Sequence, residues 1–535
     1  MKRQGRILIV DDKETWRDAL SNILQRDGFK TDSAATIDEA LNRLKETFYH
    51  LAVLDIRMEE GDQTNAEGMH LLTRIDESGL GGAMEVMMLS AYGTREQMRE
   101  AFAHRKVADF LSKEDFNRAD FLNRVREVFA TEMGINLDLD IHWQNDSQKE
   151  SVIRNLKIGE TRVKQDASLQ ARILEELEDL LCRLFHRAKS LLVRPMPLGY
   201  SGSAVLWVTP FYEAGAGQPV VVKFGDFRSI DTEYKNFDDY VRNFLIGAHF
   251  TSIIDLRRTP YLGGIIYSLL GSASDRVESF ANFYSHSDIS QIKELLAHLF
   301  NVTCGAWYAN PGRLELRNLT EEYKKYFLLT TDNLEQVLHD LKSVQGKQKL
   351  HFGTLTGERA FTNPIPVAAD RQFRMPTYVC ITHGDLNENN VLVDESRRAW
   401  LIDFARTGPG HILRDVAELD SIVRFQLLMT EDASLDERLA MEDALCNIER
   451  FSDVMKLKSV FQTENPALAK AYKTTLHLRS LAYRLVQQNP ADDISEYYVA
   501  LFYYSLNTTR YYQLSSLQRQ HALLSASLLA DRLGR

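Results

Sequence analysis

No stretch of this 535-residue chain is apolar for long enough to make a membrane-crossing helix. The opening residues, MKRQGRILIVDD, hold only a short apolar run before two aspartates, which is not the make-up of a secretory leader. Basic surplus is missing as well. Lysine and arginine number 64 against 75 aspartates and glutamates, a net charge of −11. That balance opposes a surface built for nucleic acid or acidic lipid, because phosphate groups attract excess cations. Cysteine is scarce: Cys182, Cys304, Cys380 and Cys446 are scattered and form no CxxC pair. Four reduced thiols are expected, with neither a disulfide framework nor a zinc site. No tract is of low complexity, no segment repeats, and no histidines stand at HExxH spacing. What remains is a globular protein expected in the cytoplasm, with no membrane partner and with nucleic acid a disfavoured one.

Hydrophobic residues make up 44% and charged residues 26% of the chain, an ordinary globular mixture, and the length accommodates about three or four domains. Residues 6 to about 130 alternate strand and helix. Arg6–Val10, Lys30–Ala34, Leu51–Asp55, Glu85–Ser90 and Asp109–Lys113 read as strands, with amphipathic helices such as Glu14–Gln25 and Thr36–Glu46 between them. This alternation predicts a doubly wound, flavodoxin-like α/β domain with its site at the carboxyl ends of the strands. Asp11 and Asp12 end the first strand and Asp55 the third, so three carboxylates gather in one crevice. Such a cluster needs a divalent cation. Ser90 ends the fourth strand and Lys113 the fifth. A hydroxyl and an ammonium beside a carboxylate–Mg2+ site suit a phosphorylated aspartate.

Residues 1–130, from about position 5 onward, resemble the receiver domain of two-component response regulators. The resemblance implies that Asp55 accepts a phosphoryl group from a cognate histidine kinase. It implies that Asp11 and Asp12, with Asp55, hold Mg2+. It also implies a switch in which Ser90 moves toward the phosphoryl group, Lys113 pairs with it and Phe110 changes rotamer. Two features depart from the family. Glu114 follows Lys113 where the family usually has proline, and the loop Ile56–Gly68 is longer than the family leads one to expect.

Residues 131–189 read as a linker. They are polar and without a clean period to 165, with a short helix near Glu150–Leu156, and then carry an amphipathic helix at 168–188. Leu169, Ile173, Leu177, Leu180 and Leu184 share a stripe that Leu174, Leu181 and Phe185 widen. This helix packs on the domain that follows or pairs with its copy in a homodimer; its brevity makes the first the default. Its acidic residues Glu175, Glu176, Glu178 and Asp179 read as a solvated face.

Residues 190–271 are mostly β, with one helix at Ile230–Ile246. Leu-Gly-Tyr-Ser-Gly-Ser at 198–203 offers phosphate oxygens the backbone amides at Gly199 and Gly202 and the hydroxyls of Ser201 and Ser203. Lys223 is the one charge near the end of the apolar strand Val220–Phe224 and needs an anionic partner. Glu233 is the preferred partner and Asp238 its competitor. Residues 272–535 are mainly helical, and the apolar helices at 418–430 and 466–490 and the tyrosine-rich run from Tyr497 to Tyr512 read as core. The exception is the loop 383–403, where HGDLNENN at 383–390 precedes Leu-Ile-Asp-Phe at 401–404. Short strands at Val391–Val393 and Trp400–Ile402 would carry Asn390 and Asp403 to one mouth. Asp385 is then placed to take the proton of an attacking hydroxyl, and Asn390 and Asp403 to hold Mg2+ on nucleotide phosphates. His383 reads as a buttress of the loop.

Lys223, HGDLNENN and Ile-Asp-Phe at 402–404 together resemble the aminoglycoside phosphotransferase and choline-kinase-like branch of the protein-kinase fold, whose catalytic loop opens with His-Gly-Asp. The string IDFARTGPGHILRDVAELD, 402–420, also resembles a bacterial group of ternary-complex-associated phosphotransferase domains. The resemblance implies an α+β bilobal domain with a small lobe at 190–271 and a helical large lobe at 272–535. It implies ATP and Mg2+ as cofactors, Lys223 and Asp385 at the catalytic centre, and Asp415 as a brace of the loop. The acceptor, a small molecule or a protein, is not legible. The chain then reads as a response regulator with a phosphotransferase output. Phosphorylation of Asp55 would shift the face made by the receiver's fourth helix and fifth strand, and helix 168–188 would carry that shift onward. A nucleotide-binding pseudokinase scaffold is the alternative. A DNA-binding output is disfavoured, since nothing after residue 130 looks like a helix-turn-helix.

Overall fold

Ile7-Leu-Ile-Val and Leu51-Ala-Val-Leu are unbroken apolar runs, the pattern of strands covered on both faces. The computed structural model describes residues 3–56, 67–77, 82–90, 107–196, 202–244, 250–270, 277–309, 311–340, 348–354, 357–489 and 491–534. The chain divides into two units, Met1–Tyr234 with Ser252–Ser268, and Lys235–Thr251 with Leu269–Arg535.

In the first unit, strands β1 (Arg6–Val10), β2 (Lys30–Ala34), β3 (Leu51–Leu54), β4 (Glu85–Ser90) and β5 (Val107–Ser112) form a parallel sheet in the order β2-β1-β3-β4-β5. Helices α1 (Glu14–Arg26), α2 (Ile37–Glu46), α3 (Glu67–Glu77) and α4 (Arg118–Glu127) accompany it. Alternate residues feed two cores: Leu8, Val10, Leu54 and Met88 lie on one side, and Ile7, Ile9, Val53 and Met87 on the other. This is the expected flavodoxin-like arrangement. Thr36, expected inside a helix, caps α2 instead, its hydroxyl accepting the Glu39 amide at 3.2 Å. Most of the loop after Asp55, and the position expected for the receiver's fourth helix, lie outside the described residues.

The segment expected as a linker does more than connect. Strand β6 (Asp140–Trp143) runs parallel to β7 (Ser190–Pro195) and extends a second sheet. That sheet also holds β8 (Ala204–Tyr212), β9 (Val220–Asp226), β10 (Phe250–Arg258) and β11 (Leu262–Leu270), in the order β10-β11-β9-β8-β7-β6. Asp140-Ile-His-Trp is too short and too exposed for its period to show in the sequence. Helix α5 (Asp146–Arg154) follows it. Helix α6 (Ala167–Leu184) then starts at Asp166, whose carboxylate accepts the amides of Ser168 and Leu169. The stripe of α6 packs on its own sheet, with Ile173, Leu177, Leu180 and Leu184 among Val193, Leu206, Val222 and Phe224. The homodimer alternative for this stripe is therefore not needed to cover it. Gly264 on β11 permits the close approach: a Cβ there would lie 2.8 Å from Leu180 Cδ2.

One expectation about α6 fails. Glu176 and Asp179 are not solvated; they are 0% and 5% exposed. Besides Arg172 and Arg183 on the same helix, their partners come from remote segments, which no local pattern reveals. Helix α7 (Phe227–Tyr240) is also shorter than expected and stops before Ile246.

The second unit is mainly helical. Val391–Asp394 and Ala399–Leu401 pair antiparallel with Val391 opposite Leu401, and Val277–Ser279 adds a third strand to this hairpin. The tyrosine-rich helix is core as expected: Tyr497, Tyr498, Phe502, Tyr503 and Tyr504 are buried, whereas Tyr512 is 63% exposed. All four cysteines are free and buried. The apolar helices hide a charge network. Arg424 pairs with Asp420 at 2.5 Å and with Glu442 at 2.9 Å, Arg479 pairs with Asp420 at 3.0 Å, and His521 meets Glu442 at 2.9 Å. Burial pushes the Glu442 carboxyl up, but Arg424 and His521 overcome it and hold it below the usual carboxylate range. A depressed folded-state value stabilises the fold at neutral pH, and the contribution disappears as pH falls below the ordinary carboxyl range. Glu442→Ala leaves the buried Arg424 and Arg479 to share the single carboxylate of Asp420 and is expected to cost about 3–5 kcal/mol in urea unfolding at pH 7, with a smaller difference from wild type in strong acid.

Candidate functional site

Two sites take shape, one in each part of the first unit, and a third cluster lies in the second unit. In the receiver-like domain Asp11 and Asp12 follow β1, and Asp55 follows β3, its neighbour in the sheet. Each offers an oxygen within 4.8 Å of the others. Lys113 Nζ, just past β5, donates to Asp11 Oδ2 at 2.5 Å and to Asp55 Oδ2 at 2.6 Å. Trp16 packs against this ammonium, 5.2 Å from ring centroid to Nζ, a wall that sequence reasoning missed. Burial pushes the Asp11 carboxyl above its ordinary value, and the Lys113 ammonium only partly offsets that. Asp12 Oδ1 is buried and has no hydrogen-bond partner. Three carboxylates, one ammonium and an orphaned oxygen fit a divalent cation of the Mg2+ kind. Phe110 is half-buried against the Leu54 side of the core. Ser90 ends β4 as expected, but its side chain lies outside the described residues.

In the second sheet, β9 delivers Lys223 and α7 delivers Glu233. The two are 2% and 1% exposed, and Lys223 Nζ donates to Glu233 Oε2 at 2.7 Å. The hydroxyl of Tyr267, on β11, donates to the other oxygen of Glu233. Asp238, the competing partner, pairs instead with Arg242 at 2.8 Å on an exposed face. Of the expected phosphate cradle, Gly199 and Ser201 lie outside the described residues. Gly202 has φ +79, and its carbonyl accepts the Lys157 amide at 3.1 Å. Ser203 packs against Gly225 on β9, where a Cβ would lie 2.8 Å from the serine hydroxyl. The segment around Lys157 thus backs the loop, a role invisible in the sequence.

In the second unit, Asp385, Asn390 and Asp403 come together around one loop. Asp415 clamps its start: its carboxylate accepts the amides of His383 at 2.7 Å and Gly384 at 3.0 Å, and the Tyr308 hydroxyl at 2.6 Å. Gly384 has φ +80 and faces the Arg406 carbonyl where a Cβ would sit, so only glycine fits. Asn390 Nδ2 donates to the Asp385 carbonyl at 2.8 Å and approaches Asp385 Oδ2 at 3.4 Å. The Ile402 amide donates to the Asn390 carbonyl at 3.1 Å, which sets Asp403 beside Asn390. Asp403 has φ +71, a strained conformation for a non-glycine residue that costs about 1–3 kcal/mol. His383 is fully buried, with Nε2 3.1 Å from the Ile402 carbonyl, as a buttress should be.

Two acids near Asp385 escaped sequence reasoning. Glu418 Oε2 accepts the Leu386 amide at 2.9 Å; burial, then the Asp385 and Asp415 charges, push its carboxyl well above the ordinary range. Burial also raises Glu388, with Asp385 adding to the effect. The signal available for Glu418 was its place one helical turn after Asp415.

Residues 7–126 match the model of the response regulator receiver domain. The first domain is accordingly a receiver of two-component signalling, a class that meets a histidine kinase or another phosphodonor and binds Mg2+ in an acidic pocket such as Asp11, Asp12 and Asp55. A second family, ternary complex associated domain 9, matches residues 188–349 and 353–509, more than half of the chain, and the protein belongs to that family. The chain is 34% identical over 107 residues to an uncharacterized 14.6 kDa protein in the sodA1 3′ region of Leptolyngbya boryana, covering 20% of this chain and 77% of that protein. Similar solved structures include a CheY-like receiver domain protein from Methanospirillum hungatei (28% identity, 23% of this chain and 92% of that one, TM-score 0.21). The receiver domain of NtrX from Brucella abortus is another (29% identity, 23% and 98%, TM-score 0.21). No helix among the described residues is long and apolar enough to cross a membrane.

Acetyl phosphate with Mg2+ is expected to phosphorylate the wild-type chain on Asp55 alone. Peptide mass mapping should show the modification lost in Asp55→Asn and after chelation of Mg2+; modification that survives in Asp55→Asn would place the acceptor elsewhere.

Proposed function

We propose that the receiver controls an output domain that transfers the γ-phosphoryl group of ATP to a hydroxyl acceptor. The observation that carries this reading is the clamped loop of the second unit. Asp415 fixes the backbone just before Asp385, and Asn390 and Asp403 flank the paired strands that follow, one just before the first and the other just after the second. The buried Lys223–Glu233 pair is the matching feature of the second sheet, since a lysine so enclosed suits a phosphate contact that its glutamate orients. Protein-kinase-like architecture is part of this proposal, resting on the resemblance of these motifs.

In that mechanism Asp385 orients the acceptor hydroxyl and takes its proton as the oxygen attacks the γ-phosphorus. The bond to the β-phosphate oxygen breaks, and ADP leaves with that oxygen. Asn390 and Asp403 would hold the metal, and Lys223 would contact the phosphates. A bound divalent cation would neutralise charge on the transferring group. The hydroxyl acceptor, whether small molecule or protein, needs no further group from this set.

A nucleotide-binding scaffold is the second reading, favoured by the family's description as ternary complex associated. The experiment that separates them offers γ-labelled ATP and Mg2+ to the phosphorylated full-length chain with a metabolite and cell-protein panel. Label transfer is expected, falling about 100-fold or more in Asp385→Ala. Transfer unaffected by Asp385→Ala overturns the assignment of the base. Binding of Mg-ATP with no transfer to anything supports the scaffold.

A further inference from the structure

We infer that the receiver is coupled to Lys223 and Glu233 through the buried acidic face of α6, starting from the amino-terminal edge of the receiver sheet rather than from the face beside β5. The inference deepens the proposed control of the output and rests on it for its consequence, though not for its test.

His50 immediately precedes β3, and Asp55 immediately follows it. The phosphoryl-acceptor position and His50 thus stand at the two ends of one short, fully buried central strand. The Arg6 amide donates to His50 Nδ1 at 2.9 Å, so the ring proton belongs on Nε2. Nε2 lies 2.6 Å from Asp179 Oδ1 on α6, and Arg183 Nε donates to Asp179 Oδ2 at 2.7 Å. His50, Asp179 and Arg183 are all buried. Around this point the receiver grips α6 again: Arg6 reaches Glu175 at 2.7 Å, and Arg172 donates to the Lys45 carbonyl at 2.7 Å.

One turn earlier on α6, Glu176 faces the second sheet. Its Oε2 accepts the Thr259 hydroxyl at 2.7 Å and the Tyr261 amide at 2.8 Å, in the turn that joins β10 to β11. Arg172 holds its other oxygen at 3.1 Å and lies over the Tyr261 ring at 4.4 Å. Beyond this turn, β11 runs antiparallel to β9, with Ile265 opposite Lys223, and Tyr267 hydrogen-bonds Glu233. Every step from Asp55 to Lys223 is a strand, a helix or a buried polar contact within one unit.

The physical reason for transmission is the cost of breaking these contacts. A buried carboxylate separated from its partners stays unsatisfied, because no water replaces them. A displacement at His50 therefore carries Asp179 with it, and Glu176, on the same rigid helix, carries the Thr259–Tyr261 turn.

The test uses the full-length chain with Mg2+ and beryllofluoride as the probe at Asp55, read by amide hydrogen exchange. Wild type is expected to change exchange both near Asp55 and across residues 259–267, the latter by about five-fold or more. In Glu176→Ala, which removes the acceptor of the Thr259 hydroxyl and the Tyr261 amide, the change near Asp55 persists and that at 259–267 is lost. Asp179→Ala, which removes the acceptor facing His50, gives the same pattern. A response at 259–267 of unchanged size in Glu176→Ala overturns the inference and leaves the receiver and phosphotransferase readings standing, as does a wild-type response confined to the receiver. No response anywhere overturns the receiver's control of the output as well.

Discussion

The architecture of the first unit depends on two carboxylates that cannot be left alone. Asp179 and Glu176 lie one turn apart on the same side of one helix, each enclosed, each paired with an arginine of that helix and each tied to a different neighbouring element, Asp179 to His50 and Glu176 to the Thr259–Tyr261 turn. Burial pushes Asp179 up, yet Arg183 and His50 overcome that and hold it below the usual range. Burial dominates at Glu176 and leaves it raised. The helix is therefore fastened on its polar side as firmly as on its apolar stripe. A joint of this kind fixes geometry more than it adds stability, because separating a buried pair costs more than its formation gains.

The same constraint explains how the receiver site and the Lys223–Glu233 pair can share one unit. The receiver site sits at the carboxyl ends of its strands, where β1, β3 and β5 place Asp11, Asp12, Asp55 and Lys113. Its fastening lies at the other end of the sheet, so the loops around Asp55 need not bear the load of holding the domains together. The Lys223–Glu233 pair has a similar economy. Its strand is supported from behind by α6 through Gly264, and Tyr267 steadies the glutamate.

Much of this was legible in the amino-acid sequence where the signal is local. Apolar runs marked the central receiver strands, and positions at strand ends or in motifs singled out Asp55, Lys113, Asp385, Asn390 and Asp403, whereas the polar second strand, Lys30–Ala34, rested on the alternation around it. Asp415 as a brace came from the family resemblance of the string 402–420, and the amides of His383 and Gly384 that it accepts agree with it. The choice of Glu233 over Asp238 followed from helix phase, which the 2.7 Å contact to Lys223 bears out. What failed was anything set by distant partners. The acidic run of α6 looks like a solvated face until His50, Thr259 and Tyr261 are placed against it. Strand β6 is four residues long with half of them exposed, so it leaves no period to read. The charge network of Arg424, Arg479, Asp420 and Glu442 was hidden within helices whose apolar content alone predicted burial.

If the receiver and the second sheet are joined energetically through the buried His50–Asp179 contact, the two side chains must be coupled in stability. A double-mutant cycle on His50→Ala and Asp179→Asn, measured by denaturant unfolding of the full-length chain, should give a coupling energy of at least about 1 kcal/mol; additivity within about 0.5 kcal/mol would show that the contact joins nothing.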